Sequence, residues 1–441
     1  VSPRAAPRAA PARWEVAPPR EAEAAALAAA LGVPPLAAQV LLNRGISAEG
    51  DARRFLAPQL RDLGDPFALP SMDAAVARLA RAVEGNEAVV VYGDYDVDGV
   101  SSTAMAVRLL GALGAANVRP FLPDRFDEGY GLGEASLKRC LEGGTPALML
   151  VLDCGTNSAD EVAALRARGV DVVILDHHEP GRPADAHALV NYKLRKGDGD
   201  TEFCTAGLVF KCAHGLLKRL RERGHAAAAA LDLKEYLDLA ALATVADLAP
   251  LRGENRILAR HGLRQMADTR HAGLRALMEV AGVKGPPTST DCGFRLGPRL
   301  NAAGRLESAV AALRLLLTGD PAEAAGIARQ LDATNRERQA EELRVHAEAR
   351  EDALAQFEDP GSRVLVVGRP GWHEGVVGIV ASRLVREFHL PAFVVALGGK
   401  EVAKGSGRGI EGFDLAAAVD ATRAHLAGGG GHAMAAGVSV R

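Results

Sequence analysis

Residues 88–99 read Ala88-Val89-Val90-Val91-Tyr92-Gly93-Asp94-Tyr95-Asp96-Val97-Asp98-Gly99. The apolar run, rich in β-branched side chains, predicts a strand buried on both faces, and the acids after it open a loop. An apolar-periodic stretch starting at Ser101-Ser102-Thr103 then predicts a helix. The same grammar recurs. Ala147 to Leu152 runs into Asp153-Cys154-Gly155-Thr156, with Ser158 as N-cap of a helix to about Arg168, and Asp171 to Leu175 runs into Asp176-His177-His178. Wholly apolar strands alternating with helices predict an α/β fold with a parallel sheet covered on both faces. Such sheets bind ligands beyond the carboxyl ends of their strands, where all three acidic segments fall.

Working outward, residues 1–84 read as an arm and helical preface, with Arg20 to Leu31 the clearest helical text. Downstream, helical patterns over Ala206 to Leu220 and Leu231 to Val245 lead to the turn Ala246-Asp247-Leu248-Ala249-Pro250. The text is less regular from about Asp268 to Asp320. There Asp320-Pro321 opens a charged helical pattern to about Phe357, about 55 Å long if continuous. A final unit begins near Arg363-Val364-Leu365-Val366-Val367-Gly368 and closes on Gly428 to Gly431 and His432.

With 441 residues, two or three packed units are expected. A composition 48% hydrophobic and 24% charged excludes disordered and collagen-like classes. No apolar run reaches the ~20 residues of a spanning helix, and Val1 to Trp14 lacks an apolar signal core. Five scattered cysteines without a CxxC pair suit a reducing compartment. A cytoplasmic chain without a membrane partner is therefore expected. The net charge of −3 means that nucleic-acid binding would need basic residues gathered locally, and Arg, the better fork for phosphate oxygens, far outnumbers Lys.

Asp94, Asp96 and Asp98 alternate, so in an extended segment they share one side, where their repulsion calls for cations. Asp153 adds a carboxylate at the next strand end. His177 and His178 offer neutral nitrogen ligands, or one ligand and one acid/base. Asp247 is a further candidate. Such a mixed oxygen and nitrogen set suits Mn²⁺, Mg²⁺ or Fe²⁺ rather than structural zinc. Two ions about 3.5 to 4 Å apart can share a carboxylate and support in-line attack on phosphorus, so phosphoester hydrolysis is the natural reaction class.

Gly93-Asp94-Tyr95-Asp96-Val97-Asp98-Gly99, Leu152-Asp153-Cys154-Gly155, Leu175-Asp176-His177-His178 and Ala243-Thr244-Val245-Ala246-Asp247 resemble, in order and spacing, the four motifs of the DHH phosphoesterase superfamily. Three later segments resemble its RecJ branch of single-strand-specific 5′ to 3′ DNA exonucleases. They are Gly297-Pro298-Arg299-Leu300-Asn301-Ala302-Ala303-Gly304-Arg305, the stretch from Trp372-His373-Glu374-Gly375 to Leu384, and Gly430-Gly431-His432-Ala433-Met434-Ala435-Ala436-Gly437. The resemblance runs from about residue 60 to the end. It implies a parallel-sheet DHH catalytic lobe at 85–268, a connecting segment with a long helix at 269–360, and a smaller α/β DHH-associated lobe at 361–441.

By the same resemblance, Asp96 and Asp98 would each serve one Mn²⁺ or Mg²⁺ ion and Asp153 would bridge the two. His177 and Asp247 would complete the coordination, with Asp94 in or just behind it. His178 would face the scissile phosphate, acting beside Asp98 and Asp153. Arg125, Arg299, Asn301, Arg305, His373, Ser406, Arg408 and His432 would hold substrate. That substrate is implied to be single-stranded DNA with a 5′ end, threaded between the lobes and released as mononucleotides in repair and recombination. Single-strand-binding protein or a helicase are the implied partners, and a monomer is expected. A DHH phosphodiesterase for short oligonucleotides or cyclic dinucleotides, or an inactive replication adaptor, are the alternatives. Gly409 stands where many relatives carry Ser. Arg441 follows directly on the glycine motif, where longer relatives continue into an OB-fold, so a weaker hold on DNA is expected.

Overall fold

Val89–Tyr92 (β1), Val118–Phe121 (β2), Leu148–Leu152 (β3), Asp171–Leu175 (β4) and Ala188–Val190 (β5) form one all-parallel sheet in the order β2-β1-β3-β4-β5. Val89 pairs with Val118 on one side and Leu148 on the other, so chain order reverses about β1. That reversal makes the crevice beyond β1 and β3 the expected ligand position. The pleat explains the wholly apolar strands. Val89 and Val91 join one buried cluster with Met105, Leu109 and Leu216, whereas Val90 and Tyr92 join another with Leu137, Val162 and Leu165. The computed structural model describes residues 14–125, 127–195, 202–306, 308–357, 361–398 and 402–441; the first part of the expected arm, 1–13, lies outside them.

The helix after β1 spans Val97–Ala112 and starts four residues before the expected serine run. Its N-cap is Asp96, whose Oδ1 accepts hydrogen bonds from the amides of Asp98 (2.9 Å) and Gly99 (3.1 Å). Capping by a carboxylate is worth about 1 kcal/mol and fixes the helix start there, leaving Ser101, Ser102 and Thr103 buried inside the helix. The three acids are therefore not an extended stripe. Asp94 lies two residues past the end of the strand, Asp96 caps the helix and Asp98 lies in its first turn.

The expected 231–245 helix is a 3-10 turn, Leu233–Tyr236, followed by the helix Leu237–Ala246. The stretch read as irregular is largely helical: Ala272–Val280, a π-turn at Cys292–Leu296, Gly297–Leu306 and Val310–Leu317. Leu274, Leu277, Cys292, Leu300 and Leu315 are buried in the same core as β1, and so are Ala324, Ala328 and Leu331 from the start of the long helix. The described residues of 269–334 thus belong to the same compact unit as the sheet and contribute to its core, which corrects the expectation of a connecting segment from 269. Likewise Met72–Glu84, expected in the preface, packs through Met72, Val76 and Leu79 into that core. Glu21–Leu31, Pro35–Asn43 and Glu49–Leu56 form a small apolar cluster of their own.

The chain divides into two compact units, parting within the long helix Pro321–Phe357 between Thr334 and Asn335. In the second unit, Leu365–Pro370 (β6), Ala392–Leu397 (β7), Ala403–Arg408 (β8), Gly428–His432 (β9) and Ala435–Val440 (β10) form a sheet in the order β6-β7-β8-β10-β9. β6 and β7 are parallel, joined through the helix Glu374–Phe388, and the other pairs are antiparallel. Val345, Ala349 and Ala353 of the long helix share its core with Val376, Val380 and Leu384. Among the described residues no single helix is long and apolar enough to cross a membrane.

Candidate metal centre

The carboxyl ends of β1, β3 and β4 deliver Asp94, Asp153 and the Asp176-His177-His178 turn, and the end of the Leu237–Ala246 helix brings Asp247. His177 Nε2 lies 3.3 Å from Asp153 Oδ1 and 3.8 Å from both Asp98 Oδ2 and Asp247 Oδ2. Three sets of donor atoms lie within 4.8 Å of one another: Asp94, Asp96 and Asp153; Asp98, His177 and Asp247; and Asp153, His177 and His178. All seven expected ligand and acid/base residues therefore meet in one place. Asp153 takes part in two of the sets. Its backbone is left-handed (φ 65°), unusual outside glycine, and two hydrogen bonds hold it. Thr205 Oγ1 donates to Oδ1 at 3.0 Å, and Tyr130 Oη donates to its carbonyl at 3.1 Å.

Asp98 is buried, and its carboxylate accepts the backbone amides of Thr205 (2.6 Å) and Ala206 (2.8 Å) at the start of the Thr205–Glu222 helix. Amides at a helix N-terminus favour negative charge. They do not compensate fully. Burial first, and then the mutual repulsion of Asp94, Asp96, Asp98 and Asp153, pushes Asp94, Asp98 and Asp153 above the ordinary carboxylate range and Asp247 up to about 8. Burial pulls His177 below its ordinary value, favouring the neutral imidazole a metal requires. Asp94 Oδ1 is buried without a hydrogen-bond partner among the described residues. An unpartnered buried oxygen, crowded carboxylates and a neutral imidazole fit a site for hard or borderline divalent cations.

The other histidine is held differently. Its Nδ1 lies 2.7 Å from Asp176 Oδ1, while Asp176 Oδ2 accepts the Thr156 amide at 3.0 Å. Burial works against charge on His178, but the hydrogen bond and charge of Asp176 outweigh it and raise the imidazole above its usual value. Asp176 falls below the carboxylate range for the matching reason, its burial offset by the bond from His178.

These shifts fix a sign for stability. Unfolded carboxylates ionise near pH 4, so between about pH 4 and 8 the metal-free folded state holds more protons than the unfolded chain and loses stability as pH rises. The raised His178 acts in the same direction above its unfolded value, the lowered His177 opposes it below about pH 6.5 but is outnumbered by the four raised carboxylates, and Asp176 matters only at lower pH. The Tm of chelator-treated protein should therefore fall between about pH 5 and 9, and Mn²⁺ should restore more of it at the alkaline end. Scanning fluorimetry checks this, and a flat or rising Tm in the metal-free protein contradicts it.

The basic residues divide. Arg125 sits 5.2 Å over the ring of Tyr95, between Asp94 and Asp96, and Arg305 also acts on that tyrosine's charge environment. Asn301 Oδ1 accepts the Val97 amide at 3.0 Å, so it props the acidic loop. Arg299 is bound to Asp332 at 2.9 Å and to the Arg295 carbonyl at 2.7 Å. In the second unit Arg408 donates to Ser406 Oγ and the Gly407 carbonyl, both at 2.8 Å. A Cβ on Gly378, in the second turn of the Glu374–Phe388 helix, would lie 3.0 Å from Ser406 Oγ and 3.1 Å from Arg408 Nη2. His373 caps that helix, its Nδ1 accepting the Gly375 amide at 3.0 Å. His432 is exposed at the end of β9, so the glycine run before it is an edge strand rather than a loop. Trp372 is buried, with its indole N–H on Glu348 at 2.7 Å. A Cβ on Gly409 would lie 2.9 Å from the Ala433 carbonyl, which gives a steric reason for glycine there.

Tyr130, Thr156 and the Thr205-Ala206 amides are the site groups that sequence reasoning missed. Only the glycines flanking Tyr130, in Gly129-Tyr130-Gly131, hinted at a specific loop.

The DHH family, N-terminal domain, matches residues 88–244, and the DHHA1 domain matches residues 361–441. The chain is similar to the single-stranded-DNA-specific exonuclease RecJ of Bacillus subtilis, with 38% identity over 97% of this chain and 53% of that protein. It is 37% identical to the RecJ of Dickeya dadantii over 92% of this chain and 72% of the relative. RecJ of Thermus thermophilus in complex with Mn²⁺ superposes with a TM-score of 0.81 at 36% identity, covering 96% of this chain and 59% of that one. The Mg²⁺ complex of the same protein gives 0.74 at 34% identity, covering 96% and 57%. The chain thus spans little more than half the length of some of the relatives it matches, and on the extent and identity of the match it belongs to the RecJ family.

Proposed function

We propose that the chain hydrolyses single-stranded DNA from its 5′ end, releasing mononucleotides in repair and recombination, with two Mn²⁺ or Mg²⁺ ions in the carboxylate cluster. The observation that carries this reading is the place of Asp153 in two of the donor sets. Asp94, Asp96, Asp98, His177 and Asp247 supply the remaining donors. When bound, the ions would neutralise phosphate charge and activate water. Asp176 holds His178 by Nδ1, which leaves Nε2 to give a proton to the departing oxygen. Arg125 and Arg305 border the acidic loop and would meet backbone phosphates. Arg299, tied to Asp332, enters the proposal as a brace for its segment rather than as a phosphate ligand.

Ser406, Arg408 and His373 lie on or against the Glu374–Phe388 helix near its N-terminus, a setting suited to a terminal phosphate, and His432 would join them. Cytoplasmic location, a monomeric state and work alongside a single-strand-binding protein or a helicase belong to the same proposal and rest on the family. The test offers the purified chain with Mn²⁺ three substrates: a long 5′-phosphorylated single strand, its duplex and a dinucleotide. Mononucleotides from the 5′ end of the single strand, with the duplex spared, are expected. Cleavage of the dinucleotide alone, or of both strand forms equally, contradicts the proposal.

A further inference from the structure

The hydroxyl of Tyr130 lies 2.9 Å from His178 Nε2 and 3.2 Å from Nδ1, a pair of distances that places it over the face of the imidazole rather than in its plane. It also donates to the Asp153 carbonyl at 3.1 Å. Its one proton is thereby committed to that carbonyl, and its oxygen meets the face of the His178 ring in close contact, leaving Nε2 free in the ring plane. The imidazole is held by Asp176 at Nδ1. The imidazole is thus pinned twice: by Asp176 in its plane, and on its face by a hydroxyl anchored to the backbone of the left-handed residue that carries the shared carboxylate. The ring of Tyr130 meets the His178 ring edge-on at 5.6 Å and Tyr95 at 6.2 Å, and 54% of the residue is exposed. Its location alone would equally suit a platform for a base, so hydroxyl and ring must be separated.

We propose that Tyr130 is a positioning residue: through its hydroxyl, not its ring, it fixes the His178 imidazole relative to Asp153 and the phosphate that the carboxylate cluster serves. The inference rests on the hydrolytic reading of the site. An acid/base contributes typically 10²–10⁴-fold, and small misplacements of a reacting group cost a sizeable part of such an effect. Tyr130→Phe, which keeps the ring, should lower kcat on single-stranded DNA about tenfold or more and leave KM within about twofold. A base platform predicts the opposite, with Phe close to wild type.

The decisive form is a double-mutant cycle in Mn²⁺ with wild type, Tyr130→Phe, His178→Ala and the double variant, each checked for fold by circular dichroism and for Mn²⁺ binding by calorimetry. If Tyr130 acts through His178, its substitution lowers kcat in the wild type and changes little in the His178→Ala background. An unchanged kcat in Tyr130→Phe, an effect confined to KM, or the same loss in both backgrounds overturns the proposal. An inactive wild type, by contrast, refutes the hydrolytic reading itself.

Discussion

Asp153→Ala is expected to abolish Mn²⁺-dependent hydrolysis, lowering kcat/KM by at least about 10³-fold, the upper scale of losing one preorganised electrostatic group. The expectation follows from the shared position of the side chain: Asp153 contributes to two of the three donor sets, so one truncation damages both. Calorimetry should show loss of Mn²⁺ binding at both sites rather than one. The fold should survive, because the carboxylate is buried among like charges that raise its proton affinity, and removing it relieves repulsion. Chelator-treated Asp153→Ala should melt no lower than chelator-treated wild type at pH 8. Retained hydrolysis, or loss of only one Mn²⁺, contradicts the shared-carboxylate assignment.

Gly99→Ala should damage stability and site together. A Cβ at Gly99 would lie 2.5 Å from the Asp94 carbonyl oxygen and 2.7 Å from its Cα, backbone that cannot yield without displacing Asp94. Overpacking of this kind costs about 1–3 kcal/mol, against which Ala regains up to about 1 kcal/mol of helix propensity. A net loss of about 2 kcal/mol in urea unfolding, with weakened Mn²⁺ binding, is the expected outcome. Gly111→Ala serves as the control in the same helix, since its Cβ would meet nothing within 4 Å. It should be neutral or stabilising by up to about 1 kcal/mol. Equal behaviour of the two variants would contradict the close approach of Gly99 to Asp94 as the reason for glycine.

The same contrast explains what could be read from the chain. The strands leading to Asp94, Asp153 and Asp176 were legible because a strand buried on both faces must be apolar throughout, and its end is marked by the first acid. Hence the residue types of the site could be named. Their geometry could not. Alternation suggested an extended row of Asp94, Asp96 and Asp98, but the capping preference of Asp96 starts the helix early and turns Asp98 toward the Thr205 and Ala206 amides.

Groups that act through a backbone amide or a single hydroxyl, such as those of Thr156, Ala206 and Tyr130, carry no signature beyond ordinary residues far away in sequence. Arginines were ambiguous for a related reason. Nothing near Arg299 in the chain says that Asp332, a helix away, holds its guanidinium, or that Arg408 turns to Ser406 two residues back. Sequence also understated how much of 269–334 is core. Short helices with few apolar residues each show weak periodicity, and their burial becomes evident only when Leu274, Leu300 and Leu315 meet the helices that cover β1.

The central claim is that the seven side chains form one two-ion hydrolytic centre. Anomalous diffraction from crystals soaked in Mn²⁺ tests it most directly. Two peaks about 3.5 to 4 Å apart, both within coordination distance of Asp153, are the predicted result. A single peak, or peaks that share no ligand, would contradict it.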